Sequence, residues 1–148
     1  MYRLCVAAIL FNDEKKVWAG NRYGSTSKTI QAPQGGIEKD EEPCAAILRE
    51  LEEEIGTQNV KIVYQSQKWY KYRITGESSD IQYIGQTQKW FLIKFLGHDR
   101  EINILTPQQE FRSWSWYNLA DLPKQVVSFK RKVYQKVVEE FTPILDRL

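Results

Sequence analysis

The sequence predicts an α/β or α+β sandwich built around one mixed sheet. Two observations predict it. Runs rich in β-branched and aromatic residues, the signature of strands, recur along most of the chain. Two segments of helical character interrupt them at unlike positions, one before the middle of the chain and one near its end. At 148 residues the chain has the length of one ordinary domain, 1–148. A chain of that size can bury roughly two thirds of the surface it exposes when unfolded.

The elements follow in order. Leu4–Phe11 is a continuous apolar run, expected of a strand covered on both faces. Asn12 to Lys16 is polar and reads as a turn, and Val17–Arg22 returns as a second strand. Tyr23 to Gln34, rich in Gly, Ser, Thr and Lys, reads as a loop that ends at Gly35-Gly36. Pro43 suits the first turn of a helix, which should run to Ile55 and stop at Gly56. Val60–Ser66, Trp69–Ile74 and Lys89–Leu96 read as strands, with Gly76–Asp80 as a connecting loop. Phe111–Tyr117 is a further strand with Trp114 and Trp116 on one face, and Asn118–Pro123 is a turn. Ser128–Phe141 closes the chain as a helix with Val133, Val137, Val138 and Phe141 as its apolar stripe.

Composition excludes several classes. Apolar residues make up 42% and charged residues 27%, as in globular proteins rather than disordered ones. No apolar stretch is long enough to span a bilayer. The apolar start has one Arg before a short run and no small-residue cleavage site, so it reads as a buried strand rather than a leader. Cys5 and Cys44 form no CxxC pair and lie in apolar stretches, where buried free thiols in a reducing, cytoplasmic compartment are expected. His98 is the sole histidine and sits in the turn-like run Gly97-His98-Asp99-Arg100, which argues against Cys-His and Ser-His-Asp catalysis.

The net charge of +2 identifies no partner, but its distribution is informative. Acidic residues crowd between Glu38 and Glu54, while Lys124, Lys130, Arg131, Lys132 and Lys136 make the last forty residues basic. On charge alone these are two ordinary solvated faces. The spacing adds more. With about 3.6 residues per turn, Cys44, Leu48, Leu51 and Ile55 fall on one helical stripe, expected to face the core. Glu50, Glu53 and Glu54 converge on another face, and Glu52 points away. Three like charges on one face repel each other, and Arg49 alone cannot neutralise them. A hard divalent cation such as Mg²⁺, which takes oxygen ligands and shares them with phosphates, can.

Gly35, five residues, Glu41, seven residues, then Arg49-Glu50-Leu51-Glu52-Glu53-Glu54-Ile55-Gly56-Thr57 resembles the signature of the Nudix hydrolase family, G-x5-E-x7-R-E-U-x-E-E-x-G-U, where U is a bulky apolar residue. Every fixed position is present, and Thr57 at the last U is the one departure. The resemblance implies a loop–helix–loop on an α/β/α sandwich, with a mixed β-sheet between helices. It implies that Glu50, Glu53 and Glu54 hold Mg²⁺ (or Mn²⁺ or another divalent cation), that Arg49 orients a carboxylate, and that Gly35 and Gly36 let backbone approach metal and phosphate.

The likeness extends further. Trp18-Ala19, Gln31-Ala32-Pro33-Gln34-Gly35-Gly36-Ile37 and Gly85-Gln86-Thr87-Gln88-Lys89-Trp90-Phe91 are similar to bacterial RNA pyrophosphohydrolases and the related dinucleoside polyphosphate hydrolases. So are Glu101-Ile102-Asn103, Pro107 to Phe111, Trp114-Ser115-Trp116 and Val126 to Arg131. By that likeness Arg3 and Lys130 contact phosphate or the RNA backbone, Phe129 stacks on a base, and Arg22 is a phosphate-side arginine. Glu110 completes the metal site or acts as base beside Glu53 and Glu54. The implied reaction is conversion of an RNA 5′-triphosphate to a 5′-monophosphate with release of pyrophosphate, and the alternative is hydrolysis of a dinucleoside polyphosphate. No obligate protein partner is implied. Ser25–Ile30 is longer than the bacterial pattern, with Ile30 where a Trp is usual and Ala32 where an aromatic is usual.

Overall fold

The computed structural model describes residues 1–74 and 84–148, so the expected Gly76–Asp80 loop lies outside the described residues. The chain order is β1 (Tyr2–Phe11), β2 (Val17–Arg22), β3 (Gln34–Gly36), α1 (Pro43–Ile55), β4 (Val60–Arg73), β5 (Gly85–Phe95), β6 (Phe111–Tyr117), α2 (Leu122–Gln125) and α3 (Arg131–Asp146). Six strands form a mixed sheet in the order β4-β5-β1-β2-β6, with β3 also paired to β1. β1 and β5 run parallel, and the other pairs are antiparallel.

Strand alternation builds two cores. Ala7, Ile9 and Phe11 of β1 and Trp90 and Leu92 of β5 enter one, where α3 adds Val133, Tyr134, Val137, Phe141 and Leu145. Val6, Ala8 and Leu10 of β1 and Phe91, Ile93 and Phe95 of β5 enter the other, where α1 adds Ala46, Ile47, Leu51 and Ile55. The first strand is apolar and buried from Cys5 to Phe11, where both of its faces are covered, whereas Arg3 and Leu4 at its start are exposed. The result is the α/β/α sandwich. Trp114 and Trp116 share a face as expected, and Trp114 stacks on Trp18 with ring centroids 5.9 Å apart.

The sheet is split where the chemistry gathers. β1 and β2 pair at Phe11↔Val17. Beyond that point the segment 31–36 enters between them. Gly20 bridges Gln31, Ala8 N–H donates to the Pro33 carbonyl at 3.0 Å, and β3 pairs Cys5, Val6 and Ala7 with Gly36, Gly35 and Gln34. This short strand was expected as the end of a loop. Two glycines give it no strand propensity, and pairing with β1 supplies what local sequence does not.

Other boundaries also differ. Val60–Ser66 and Trp69–Ile74 are one strand whose ladder to β5 slips between Gln65 and Trp69. The Ser66 hydroxyl bridges the slip, donating to the Lys68 carbonyl and accepting from Trp90 N–H. Asn118–Pro123 is not a plain turn: a 3₁₀ turn, Leu119–Asp121, leads into α2. The last helix opens with a 3₁₀ turn at Ser128–Lys130 and runs past Phe141 to Asp146. Pro143 lies in the final turns, where it forfeits one backbone bond, while buried Leu145 anchors the end.

α1 matches its expected span, and Gly56 caps it in the left-handed region at φ 72°. Its inner face is rotated from the expectation. Ala46, Ile47, Glu50, Leu51, Glu54 and Ile55 are buried, whereas Cys44 and Leu48 are exposed. Cys44 is therefore not a buried thiol; Cys5 is. The rotation has a physical reason. Ile47, Leu51 and Ile55 form the apolar ridge, and two carboxylates go inward beside it because the sheet opens into a cleft there.

Candidate active site

The acidic wall starts from Arg49. Its Nε donates to Glu41 at 2.8 Å, and its Nη2 donates to Glu41 at 2.9 Å and to the Gly36 carbonyl at 2.9 Å. Its Nη1 donates to Glu50 at 2.8 Å and to Glu53 at 3.2 Å. The planar guanidinium fork suits this sharing, and a lysine could not reproduce it. Glu41 is presented by the turn before α1, where Asp40 adopts φ 62° and Glu38 N–H donates to the Glu41 carboxylate at 3.0 Å. The hydrogen bond from Arg49 holds the Glu41 carboxyl at about 2.

Glu50 and Glu54 are 9% and 6% exposed, which is rare for carboxylates. Burial raises the Glu50 carboxyl above the usual range, against the hydrogen bond from Arg49. Burial raises Glu54 well above that range, and the charges of Glu50 and Glu110 add to it. The one backbone bond to Glu54, from Gln34 N–H at 3.3 Å, opposes the rise weakly. Gly35 lies under the Glu50 carboxyl so closely that a Cβ there would overlap it. Glu53 is about half exposed at the cleft, and Glu52 is exposed and turned away.

The basic wall is opposite. Lys130 is 6% exposed, and its Nζ donates to Gln31 at 3.1 Å and to Gln34 at 3.4 Å. Gln34 is held in turn by Gln88 at 3.3 Å, whose carbonyl accepts from the Trp90 indole at 2.9 Å. The ammonium also lies 5.6 Å from the Tyr72 ring centroid. Burial, with a smaller push from the Arg22 charge, lowers Lys130 to about 8. Phe129 packs its ring 5.7 Å from Tyr72 and stays half-buried at the cleft. The Arg3 guanidinium crosses over Gly36, where a Cβ would collide with it. Arg22, exposed, faces the partly buried Glu110 at 3.6 Å.

These walls enclose a cleft of about 490 Å³. Arg3, Arg22, Gly35, Glu50, Glu53, Glu54, Glu110, Phe129 and Lys130 all line it; Arg49 stands behind, bonded to Glu50 and Glu53. Segments more than a hundred residues apart meet there. Sequence reasoning had no role for Tyr72, which carries the Phe129 ring and the Lys130 ammonium, nor for Glu41 as the anchor of Arg49. The glutamines 31, 34 and 88 were part of a quoted pattern without a function. Among the described residues no three His, Cys, Asp or Glu side chains already converge as a metal cage. Glu50 and Glu53 are turned to Arg49 instead. The donor set nonetheless fits a hard cation: it offers oxygen alone, and among the described residues buried Glu54 makes no ion pair.

The NUDIX domain model matches residues 1–137. The chain belongs to the Nudix hydrolase family. Its activity is that of a Nudix pyrophosphohydrolase. An RNA pyrophosphohydrolase of Wolbachia pipientis subsp. Culex pipiens (strain wPip) is 44% identical, the match covering 97% of this chain and 91% of that protein. An RNA pyrophosphohydrolase of Bartonella clarridgeiae is 44% identical over 95% of this chain and 90% of its own. Among solved structures, the E. coli dihydroneopterin triphosphate pyrophosphohydrolase superposes with a TM-score of 0.71 at 18% identity, covering 95% of this chain and 99% of that one. A C. elegans Ap4A hydrolase binary complex does so with a TM-score of 0.67 at 15% identity, covering 97% and 99%. At such identities the two structures speak for the fold alone. Nudix enzymes generally use divalent cations.

Proposed function

We propose that this Nudix hydrolase converts the 5′-triphosphate end of RNA to a 5′-monophosphate, releasing pyrophosphate. The observation that carries the reading is the cleft's division of labour. Buried carboxylates line one side, and a lysine and an aromatic pair line the other. A nucleotide chain end offers matching chemistry: dense phosphate charge and a base with a free π-face. The RNA pyrophosphohydrolase names of relatives at 40–44% identity support the same reading.

Glu50, Glu53 and Glu54, with Glu110 and the Gly35 backbone, would hold the divalent cation, Mg²⁺ by its preference for oxygen. The cation supplies neutralisation of non-bridging phosphate oxygens and acidifies water. Arg49 keeps the carboxylates spaced and oriented. Glu54, which burial holds above the usual carboxylate range, or Glu110 on its loop would accept a proton from the attacking water. Arg3, Arg22 and Lys130 bind the phosphates, and Phe129, backed by Tyr72, stacks on the base. Cys5 is a buried free thiol, in keeping with a reducing, cytoplasmic setting.

The test presents triphosphorylated RNA and diadenosine tetraphosphate to the enzyme, with and without Mg²⁺ or Mn²⁺. Pyrophosphate and 5′-monophosphorylated RNA should appear, kcat/KM should favour RNA, and chelation should stop turnover while circular dichroism stays unchanged. Full turnover in excess chelator would remove the metal. A preference for the dinucleoside tetraphosphate would replace the RNA reading.

A further inference from the structure

Behind the basic wall runs a line of polar side chains that meet no substrate. Gln88 and Trp90 stand two apart on β5, so both point to the side of the sheet that α3 covers. Gln88 is 1% exposed and stands behind the cleft rather than in its lining; Trp90 is fully buried. The Trp90 indole N–H donates to the Gln88 side-chain carbonyl at 2.9 Å. The Gln88 NH₂ donates to the side-chain oxygen of Gln34 at 3.3 Å and to that of Gln86 at 3.1 Å. The same Gln34 oxygen accepts from Lys130 Nζ at 3.4 Å. A chain of hydrogen bonds therefore leads from the core to the lysine of the cleft.

The direction of that chain is set at its buried end. An indole N–H can only donate, so it takes the oxygen end of Gln88. Gln88 then turns its NH₂ towards Gln34, and Gln34 answers with its oxygen. Were Gln88 reversed, two donors would meet at Trp90, and the Gln88 oxygen would draw the Gln34 NH₂ round to face the ammonium. Buried polar groups left without partners are costly, so one donor-only group at the end orders the whole chain. Trp90 is itself fixed. Its ring meets Tyr134 edge to face with centroids 5.1 Å apart, and its backbone N–H donates to the Ser66 hydroxyl at 3.0 Å. The Tyr134 hydroxyl accepts from Ala32 N–H at 2.9 Å. The indole and the segment that carries Gln31 and Gln34 thus share one anchor on α3.

At the other end, the Lys130 ammonium carries three N–H groups. One donates to Gln31 at 3.1 Å and one to Gln34 at 3.4 Å, which leaves one for the cleft that Lys130 lines. Gln34 is also where the two walls meet, because its backbone N–H donates to the Glu54 carboxylate at 3.3 Å. We propose that Gln88, held by the Trp90 indole, is a positioning residue for phosphate binding: it fixes the polarity of the Gln34 amide, so that Lys130 is gripped through carbonyl oxygens and turns its remaining N–H to the substrate. Gln88 acts through Lys130 and touches no reacting group. The inference rests on the reading of Lys130 as a phosphate contact.

The experiment is a double-mutant cycle in steady-state kinetics, run on triphosphorylated RNA and on diadenosine tetraphosphate. Both substrates present phosphate to Lys130, so the outcome does not depend on which of them the enzyme prefers. Gln88→Met, close in volume but unable to hydrogen-bond through an amide, should raise KM about fivefold, the scale of one hydrogen bond, and leave kcat unchanged. Lys130→Ala should raise KM on the order of tenfold or more, as expected for a bond to a charged group. Gln88→Met added to Lys130→Ala should raise KM no further, because the residue it positions is gone. Gln88→His, whose neutral ring accepts at one nitrogen and donates at the other, keeps the polarity and should stay near the wild-type KM. That variant carries the test alone should Gln88→Met not fold. An unchanged KM in Gln88→Met beside a raised one in Lys130→Ala overturns the positioning role and leaves the lysine assignment intact. Equal KM increases for Gln88→Met in both backgrounds, or a KM for Gln88→His as high as for Gln88→Met, reduces Gln88 to a packing residue and overturns it too. An unchanged KM in Lys130→Ala overturns the phosphate contact itself and the positioning role with it.

Discussion

The acidic wall of the cleft comes from one stretch, Gly35 to Glu54, joined by Glu110 alone, while the basic wall is assembled from Arg3, Arg22, Phe129 and Lys130, which are distant in sequence. The acidic wall is wired internally, with Arg49 bonded to Glu41, Glu50 and Glu53 through one guanidinium. The basic wall is wired to neutral groups: Lys130 sits on two glutamines and a tyrosine ring rather than on a carboxylate. The difference teaches how one cleft keeps both signs of charge available. Direct pairing of the two walls would spend both charges on each other. Glutamines hold the lysine in place without neutralising it, and Arg49, the one cation of the acidic wall's own helix, stays on that side.

The largest effect should come from breaking the acidic wall. Glu54→Gln and Glu53→Gln should each lower kcat on the order of 10²-fold or more, because each removes a charge needed for metal and proton chemistry. Gln is a good helix former, so the melting temperature should hold. Glu52→Gln, on the exposed side of the same turn, should be close to wild type. Should Glu52→Gln prove the most damaging of the three, the facing of α1 is wrong.

On the basic wall, Phe129→Ala should weaken turnover of triphosphorylated RNA by roughly tenfold, within the range of about 1–3 kcal/mol for a stacked base. A free nucleoside triphosphate, held mainly through its phosphates, should lose far less. Equal losses on both would make the ring a packing partner of Tyr72 and nothing more.

That contrast also governs how much could be read from sequence. The gathering of Glu50, Glu53 and Glu54 at one cleft was legible because their spacing lies within one helix, where fixed periodicity converts sequence offsets into directions. The spans of β2 and α1 were legible for the same local reason. The rotation of α1 was not: Cys44 and Leu48 are apolar enough to face a core, and only the split in the sheet decides that Glu50 and Glu54 go inward instead. Tyr72 was illegible because nothing local distinguishes it from Tyr70; its role comes from Phe129 and Lys130 arriving from the far end of the chain. β3 was illegible because its strand character is a property of β1.

A smaller effect separates the walls by pH. Lys130 has a folded value of about 8, below its ordinary 10.5, because burial penalises its charged form. Between those values the unfolded chain binds more protons, so this group's contribution to stability rises with pH from about 8 towards 10.5. Phosphate binding should run the other way. In the free enzyme the lysine loses its charge above about 8, so kcat/KM should fall there, by about fivefold for a contact worth roughly 1 kcal/mol. Lys130→Arg, which stays charged, should flatten that limb. An alkaline limb unchanged in Lys130→Arg would assign it to another group.

The smallest effect concerns the one ion pair that, among the described residues, bridges the two walls. Arg22 and Glu110 are 3.6 Å apart, with side chains 61% and 36% exposed. Exposed pairs of this kind couple by about 0.2–1 kcal/mol, because water screens the charges and ordering two long side chains costs entropy. In a double-mutant cycle on urea unfolding, Arg22→Ala and Glu110→Ala should therefore show a coupling of less than about 1 kcal/mol. Their kinetic effects should part company. On the proposed roles, Arg22→Ala, at a side chain proposed to meet phosphate, should raise KM, whereas Glu110→Ala, at a carboxylate proposed to act on the metal or the water, should lower kcat. Glu110→Ala should also lose the acidic limb of the pH–rate profile if it is the base, and keep that limb if Glu54 is. A large stability coupling with similar kinetic losses in both variants would show that the pair exists to hold its two loops together, and the walls would then be joined by a strut rather than kept apart for substrate.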